Sequence, residues 1–208
     1  MIFECCVGCY EDAKIAEKRG ANRIELCDNL LEGGTTPSYG TIRAAVENIN
    51  IPINVIIRPR GGNFTYTQDE KNIMYNDIKL CKDLGVNAIV IGSLTNDNKI
   101  DKEFVKKAKE LAGILNITYH MAFDEISDKK TAIDELVELG IDRILTKGGN
   151  NSALENLDNL KELIVYAGDR ITIIPGAGIN SKNRDMVISY TGAKEVHGTK
   201  IVGELKIK

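Results

Sequence analysis

The sequence predicts an α/β chain closed into a (β/α)8 barrel, the TIM-barrel architecture. Three observations carry that expectation. Strand-like and helix-like segments alternate eight times, and the connections between them are short, as a parallel sheet requires. The 208 residues form a single domain with no linker or low-complexity tract. They allow about 26 residues per βα unit, near the minimum for such a barrel. A doubly wound open sheet also alternates, but usually stops at about five to seven strands, and is the competing architecture.

Taken in order, Ile2 to Val7 reads as the first strand and Glu11 to Arg19 as the first helix. Arg23 to Cys27 is the second strand, and Tyr39 to Asn48 a helix after a glycine-rich loop. Ile53 to Arg58, β-branched and following Pro52, is strand three. Gln68 to Leu84 is a long helix stopped by Gly85 in the position of a C-cap. Ala88 to Ile91 is strand four, Asp101 to Ala112 the next helix, and Ile117 to His120 strand five. Lys129 to Leu139 is helical, Arg143 to Thr146 is strand six, and a helix lies within Leu154 to Tyr166. Ile171 to Ile174 is strand seven, Ser181 to Tyr190 a helix, and Lys194 to His197 strand eight. Only about ten residues follow, so the eighth helix is expected to be missing or vestigial. That would leave an apolar outer face near strands eight and one for a partner subunit to cover, hence an expected homodimer.

Composition narrows the functional classes. With 43 % hydrophobic and 27 % charged residues and a net charge of −3, bulk disorder and collagen-like structure are excluded. No apolar run approaches the roughly 20 residues that cross a bilayer. The opening residues carry no basic and apolar export signal, so a cytoplasmic protein is expected. The slightly acidic balance gives no electrostatic reason to expect nucleic acid or a membrane surface as partner.

Strand alternation then sorts the side chains. Phe3, Cys5 and Val7 suit the helix-facing side of strand one, leaving Glu4 and Cys6 inward. Ile24 and Leu26 leave Glu25 and Cys27 inward, and the same reasoning turns in Arg58, His120, Glu195 and His197. Barrel interiors are usually filled by branched apolar residues, so this polar set needs a reason. One is an internal ion-pair network of Glu4 and Glu25 with Arg58. Another is a ligand site at the C-terminal strand ends, since buried pairs seldom improve on apolar packing. Arg58 and Arg60 flank Pro59 after strand three, and guanidinium forks bind carboxylate or phosphate. Gly176 and Gly178 follow strand seven ahead of a helix, where barrels often hold phosphate. His120 with Asp124 makes an acid/base pair, imidazole titrating near neutrality and the carboxylate orienting it.

The five cysteines are Cys5, Cys6, Cys9, Cys27 and Cys81. An odd number clustered at one end is a poor disulfide framework. Cys6-Val7-Gly8-Cys9 falls where strand one meets helix one, so the positive helix end would lower a thiol pKa there. Two such thiolates suit a soft ion, Cu(I) above all, with Cys27 on the neighbouring strand as a third ligand. Simple burial of cysteine as an apolar filler is the plainer alternative. Zinc lacks a fourth ligand in this pattern.

Several motifs together resemble the CutC copper-homeostasis family. They are Arg23-Ile24-Glu25-Leu26-Cys27, Glu32-Gly33-Gly34-Thr35-Thr36-Pro37-Ser38 and Ile57-Arg58-Pro59-Arg60-Gly61-Gly62. The likeness continues through Gly92-Ser93-Leu94-Thr95, His120 with Ala122-Phe123-Asp124, Arg143-Ile144-Leu145-Thr146, Pro175-Gly176 and His197, nearly the whole chain. It implies a cytoplasmic barrel, often dimeric, that is linked to copper tolerance and holds Cu(I) through cysteines matching Cys6 and Cys27. Met121 stands where the family usually has arginine, Lys147 replaces a small hydroxyl residue, and Gly8 replaces an acid. The ending His197-Gly198-Thr199-Lys200-Ile201 also departs from the family pattern. These changes remove candidate ligand-binding cations and one candidate thiol.

Two functions are therefore carried forward. The first is Cu(I) binding through Cys6 and Cys27, with Cys9 as a further candidate. The second is a metal-independent barrel enzyme in which Glu25, Glu4, His120 and Asp124 move protons. In that reading Arg58, Arg60 and the Gly176–Gly178 turn hold a small anionic substrate, with His197 and Thr146 beside the pocket.

Overall fold

Eight parallel strands build one sheet in the computed structural model, which describes residues 1–205. They are β1 (Ile2–Val7), β2 (Arg23–Leu26), β3 (Ile53–Ile56), β4 (Ala88–Ile91), β5 (Asn116–Tyr119), β6 (Arg143–Thr146), β7 (Thr172–Pro175) and β8 (Glu195–Gly198). Their order is β7-β6-β5-β4-β3-β2-β1-β8, so the eighth strand returns beside the first and the sheet curls into a barrel. β7 and β8 pack together at the seam without a shared ladder. Just above it the Ser181 N–H donates to the Lys200 carbonyl at 3.0 Å. A Cβ on Gly198 would lie 2.2 Å from the Ile179 carbonyl oxygen, so only glycine lets the two chains close there.

Helices α1 (Tyr10–Lys18), α2 (Tyr39–Asn48), α3 (Gln68–Leu84), α4 (Lys102–Ala112), α5 (Lys129–Glu138), α6 (Leu157–Ala167) and α7 (Arg184–Thr191) form the outer ring. Their starts are set locally. Ser38, Asp101 and Asp128 each accept the backbone N–H three residues on, and Thr67 with Glu70 forms a full capping box. Gly85 ends α3 with a left-handed φ of 74°. The one predicted helix that divides is the sixth. Ala153–Glu155 is a 3-10 turn, and Asn156 interrupts it by donating from its side-chain amide to the Ser152 carbonyl at 2.9 Å.

The main core lies between sheet and helices and contains Cys5, Val7, Ile24, Leu26, Val55, Ile89, Ile117, Ile144 and Val196. A second, smaller apolar cluster lies inside the barrel and consists of Cys6, Cys27, Ile56 and Val90. No eighth helix follows β8 through residue 205, and residues 206–208 lie outside the described part. The bare face expected near β8 and β1 is nevertheless covered. Ile201 and Leu205 are buried in the main core, and the Arg184 guanidinium lies 3.8 Å over the Phe3 ring. Among the described residues no helix is long and apolar enough to cross a membrane.

Candidate functional site

The barrel interior has two polar levels. The lower one is built where β1, β2, β3 and β8 run side by side. Glu4 is in register with both Arg23 and His197. Its carboxylate takes Arg23 Nε, the Asn54 amide at 2.9 Å, and His197 Nδ1 at 2.9 Å. Arg23 also pairs with Glu195, which Arg143 approaches at 3.3 Å from across the barrel. Burial alone would push the Glu4 carboxyl up, but the bond to His197 and the Arg23 charge outweigh it and hold it near about 2. His197 runs the other way. Burial disfavours its cation, yet Glu25, the Cys6 sulfur and Glu4 raise it well above the usual histidine range. The pair is thus ionised at neutral pH.

The upper level is a chamber of about 110 Å³ bounded by Cys6, Cys27, Glu25, Arg58, His120 and His197, with Phe64, Met121 and Leu145 closing it. Cys6 and Cys27 come from adjacent strands and their sulfurs are 3.8 Å apart, in contact but not bonded. One oxygen of Glu25 joins them, the three ligand atoms lying within 4.8 Å of one another. The hydrogen bond to Cys27 and burial push the Cys6 thiol well above the usual range. For Cys27 the bond from Cys6 favours the thiolate, but burial and the Glu25 charge prevail and lift it to about 11. Burial also raises Glu25. The expected lowering of a thiol pKa by helix one therefore does not occur at Cys6, because its sulfur points into the barrel and away from the helix end.

Cys9 does not join this cluster. It is exposed at the start of α1, on the far side of the strand–helix turn. Arg58 is buried, but among the described residues it pairs with no carboxylate, so the alternative of a network with Glu4 and Glu25 does not hold for it. Its guanidinium instead donates to the Glu32, Gly34 and Gly62 carbonyls at 2.8, 3.0 and 2.7 Å. It clamps the two loops over the chamber. Arg60 points outward to Glu70 of the capping box, at 2.6 Å.

His120 and Asp124 do not hydrogen-bond to each other. A 3-10 turn, Met121–Glu125, carries Asp124 towards β6, where it bonds Thr146 Oγ1 and the Lys147 N–H. Thr146 is accordingly fixed by Asp124. Gly176 lies against Leu145 and Met121, where any Cβ would come within 2.9 Å. Gly178 lines a second, wider cavity of about 350 Å³ above the β7–β8 seam, with Lys200 on its rim. That vestibule shares Cys6, Gly33, Met121 and His197 with the chamber.

Arg23, Asn54 and Arg143 were not singled out from the sequence. Arg23 carries the same alternation signal as Glu25 and Cys27, so it was readable. Phe64 and Met121 sit in loops, where no periodicity exists to place them.

A soft ion fits the donor set: two thiols and one carboxylate, with the His197 cation adjacent to balance a bis-thiolate. Three groups do not complete the four-ligand shell of structural zinc.

Comparison with known proteins bears on the same site. The family model described as "CutC family" matches residues 1–202. CutC from Enterococcus faecalis strain V583 is 49 % identical over 97 % of this chain and 100 % of its own. A mouse protein named copper homeostasis protein cutC homolog is 45 % identical over 94 % of this chain and 72 % of its own. The solved structure of CutC from Streptococcus agalactiae superposes with a TM-score of 0.92 at 42 % identity, covering 97 % of this chain and 99 % of that one. An aldolase superposes at 0.74 with 12 % identity, a likeness of fold alone. The chain belongs to the CutC family.

Proposed function

We propose that this protein binds copper as Cu(I) through the Cys6 and Cys27 sulfurs, and that it serves copper homeostasis in the cytoplasm. The observation that carries this reading is the pair of buried free thiols 3.8 Å apart inside the barrel. Burial excludes competing water ligands, and thiolate softness favours Cu(I) over harder ions. Both thiols hold their protons at neutral pH, so binding releases them, and the resulting negative centre gains the His197 cation as a neighbour. The names of the mouse and bacterial relatives support the same assignment. Glu25 is within reach as a third donor.

Anaerobic Cu(I) titration against a competing chelator tests it. The Cys6→Ser/Cys27→Ser variant should lose more than the roughly 100-fold that removal of an outer partner costs a metal site. Equal affinity in both proteins would falsify the assignment. A homodimer is proposed alongside, on family membership only, because the apolar face that first suggested one is covered by Ile201 and Arg184. Sedimentation as a monomer at micromolar concentration removes that part.

A further inference from the structure

We propose that the inner chamber is also a proton-transfer site for a small carbonyl compound, with His120 Nε2–H and the Arg58 charge stabilising the enolate that forms when Glu25 takes a proton from the carbon beside the carbonyl. The starting point is an unpaired donor. His120 is only 4 % exposed, and its Nδ1 accepts the Ala122 N–H at 3.1 Å. The ring proton of the neutral imidazole therefore sits on Nε2. That nitrogen is buried and has no hydrogen-bond partner among the described residues. Unsatisfied buried donors cost stability, and they persist where a ligand completes them.

The ring is also fixed in place. A Cβ on Gly92 would lie 2.3 Å from His120 Cε1, so glycine provides the space the imidazole fills. The Phe64 ring packs at 5.0 Å on it. Burial, and then the Arg58 charge, hold the imidazole neutral down to about pH 3. A neutral imidazole kept as an electrophile at a helix start is a known way for a barrel to polarise a carbonyl.

Arg58 supplies a cation to the chamber. It is 4 % exposed, donates to backbone carbonyls through its terminal nitrogens, and makes no ion pair among the described residues. Cationic charge without a carboxylate favours an oxygen that becomes negative during reaction. Glu25 lines the same chamber and is the carboxylate available to accept a proton. About 110 Å³ holds a reacting group of a few atoms, and the rest of a longer ligand would extend past Cys6 and Met121 into the vestibule.

The step balances without a further reactant. The Glu25 carboxylate receives the proton, the C–H electron pair becomes the new C=C π bond, and the carbonyl π pair moves onto oxygen. Return of the proton to the same carbon restores the substrate. In an α-hydroxycarbonyl, its return to the other carbon gives the isomer, with the hydroxyl proton passing to the former carbonyl oxygen. This function is independent of copper, although a bound ion would occupy part of the same space.

Dihydroxyacetone, hydroxyacetone and pyruvate in D2O are suitable probes, with ¹H NMR following loss of the C–H signal beside the carbonyl. Metal-free wild type should exchange at least one of them about 100-fold faster than either His120→Gln or Glu25→Gln. His120→Gln should keep wild-type Cu(I) affinity, which separates this reading from the thiol site. Absence of exchange above the Glu25→Gln background with all three probes overturns the proposal. Should the variants fail to fold, ¹⁵N NMR of the wild-type protein decides. A neutral His120 bearing its proton on Nε2 is required, and a protonated ring or the Nδ1–H tautomer overturns it.

Discussion

The two levels of the barrel interior hold charged groups of the same types but treat them differently. Below, Glu4, Arg23, Asn54, Glu195 and His197 satisfy one another through a continuous set of short contacts. Above, Cys6 and Cys27 lie against each other and Glu25, and among the described residues Arg58 has no counter-ion and His120 Nε2 no partner. Position within one barrel therefore separates polar groups that hold the strands from those left without such partners. The lower set compensates its own burial. The upper set leaves its cost uncovered, which is what a binding site does.

Breaking the lower level should have the largest effect on stability. Arg23→Met removes the cation shared by the buried Glu4 and the partly buried Glu195, leaving Glu4 to His197 and Asn54 and Glu195 to Arg143. Removing one partner of a buried ion pair costs about 3–5 kcal/mol. Urea denaturation measures it, and a loss below about 1 kcal/mol would show that the pairs are not what holds the lower barrel.

Acid separates the levels next. His120 is depressed in the folded protein from 6.5 to about 3, so the unfolded chain binds its proton first. Stability is then complete above about pH 6.5 and declines as pH falls towards 3, by up to about 1.4 kcal/mol per pH unit. Glu4 acts in a lower window. Its carboxyl is depressed from 4.5 to about 2, so its contribution is lost only as pH drops between those values. His197 has the opposite sign, since its raised pKa contributes stability below about pH 6.5 that disappears as pH rises through the folded value. His120→Gln should flatten the stability profile between pH 6.5 and 4.5 and leave a shallower fall below 4.5, carried by Glu4. An unchanged profile would mean that His120 is not held neutral.

The smallest effect belongs outside both levels. Arg60 and Glu70 pair at 2.6 Å on a partly exposed surface. Arg60→Met should cost no more than about 1 kcal/mol and leave Cu(I) affinity unchanged, although Arg60 stands in the same motif as Arg58. A large loss of affinity would move Arg60 back into the site.

Much of this arrangement was legible beforehand. The inward turn of Glu4, Cys6, Glu25, Cys27 and His197 follows from alternation along strands whose outer positions are Cys5, Val7, Ile24 and Leu26. The same rule applied to Arg23 identifies the cation that Glu4 uses. The partners of Arg58 were not legible, because they lie in loops. Gly33, Gly34 and Gly62 have left-handed φ values of 81° to 88°, and these turns bring the Glu32, Gly34 and Gly62 carbonyls onto the guanidinium. Asp124 was misassigned for a similar reason. A spacing of four from His120 suggests a shared face only in a regular helix, and the intervening turn is 3-10.

By itself the sequence determined the eight alternating units, most element bounds and which strand residues face inward. Those properties depend on period, capping and sterics within a few residues. Tertiary structure alone decided which inward groups find partners. Pairing across a barrel depends on strand stagger and on loops closing from distant parts of the chain. That is why Glu4 meets His197 193 positions further along the chain, while in one chamber Arg58 has no carboxylate partner and His120 Nε2 no hydrogen-bond partner among the described residues.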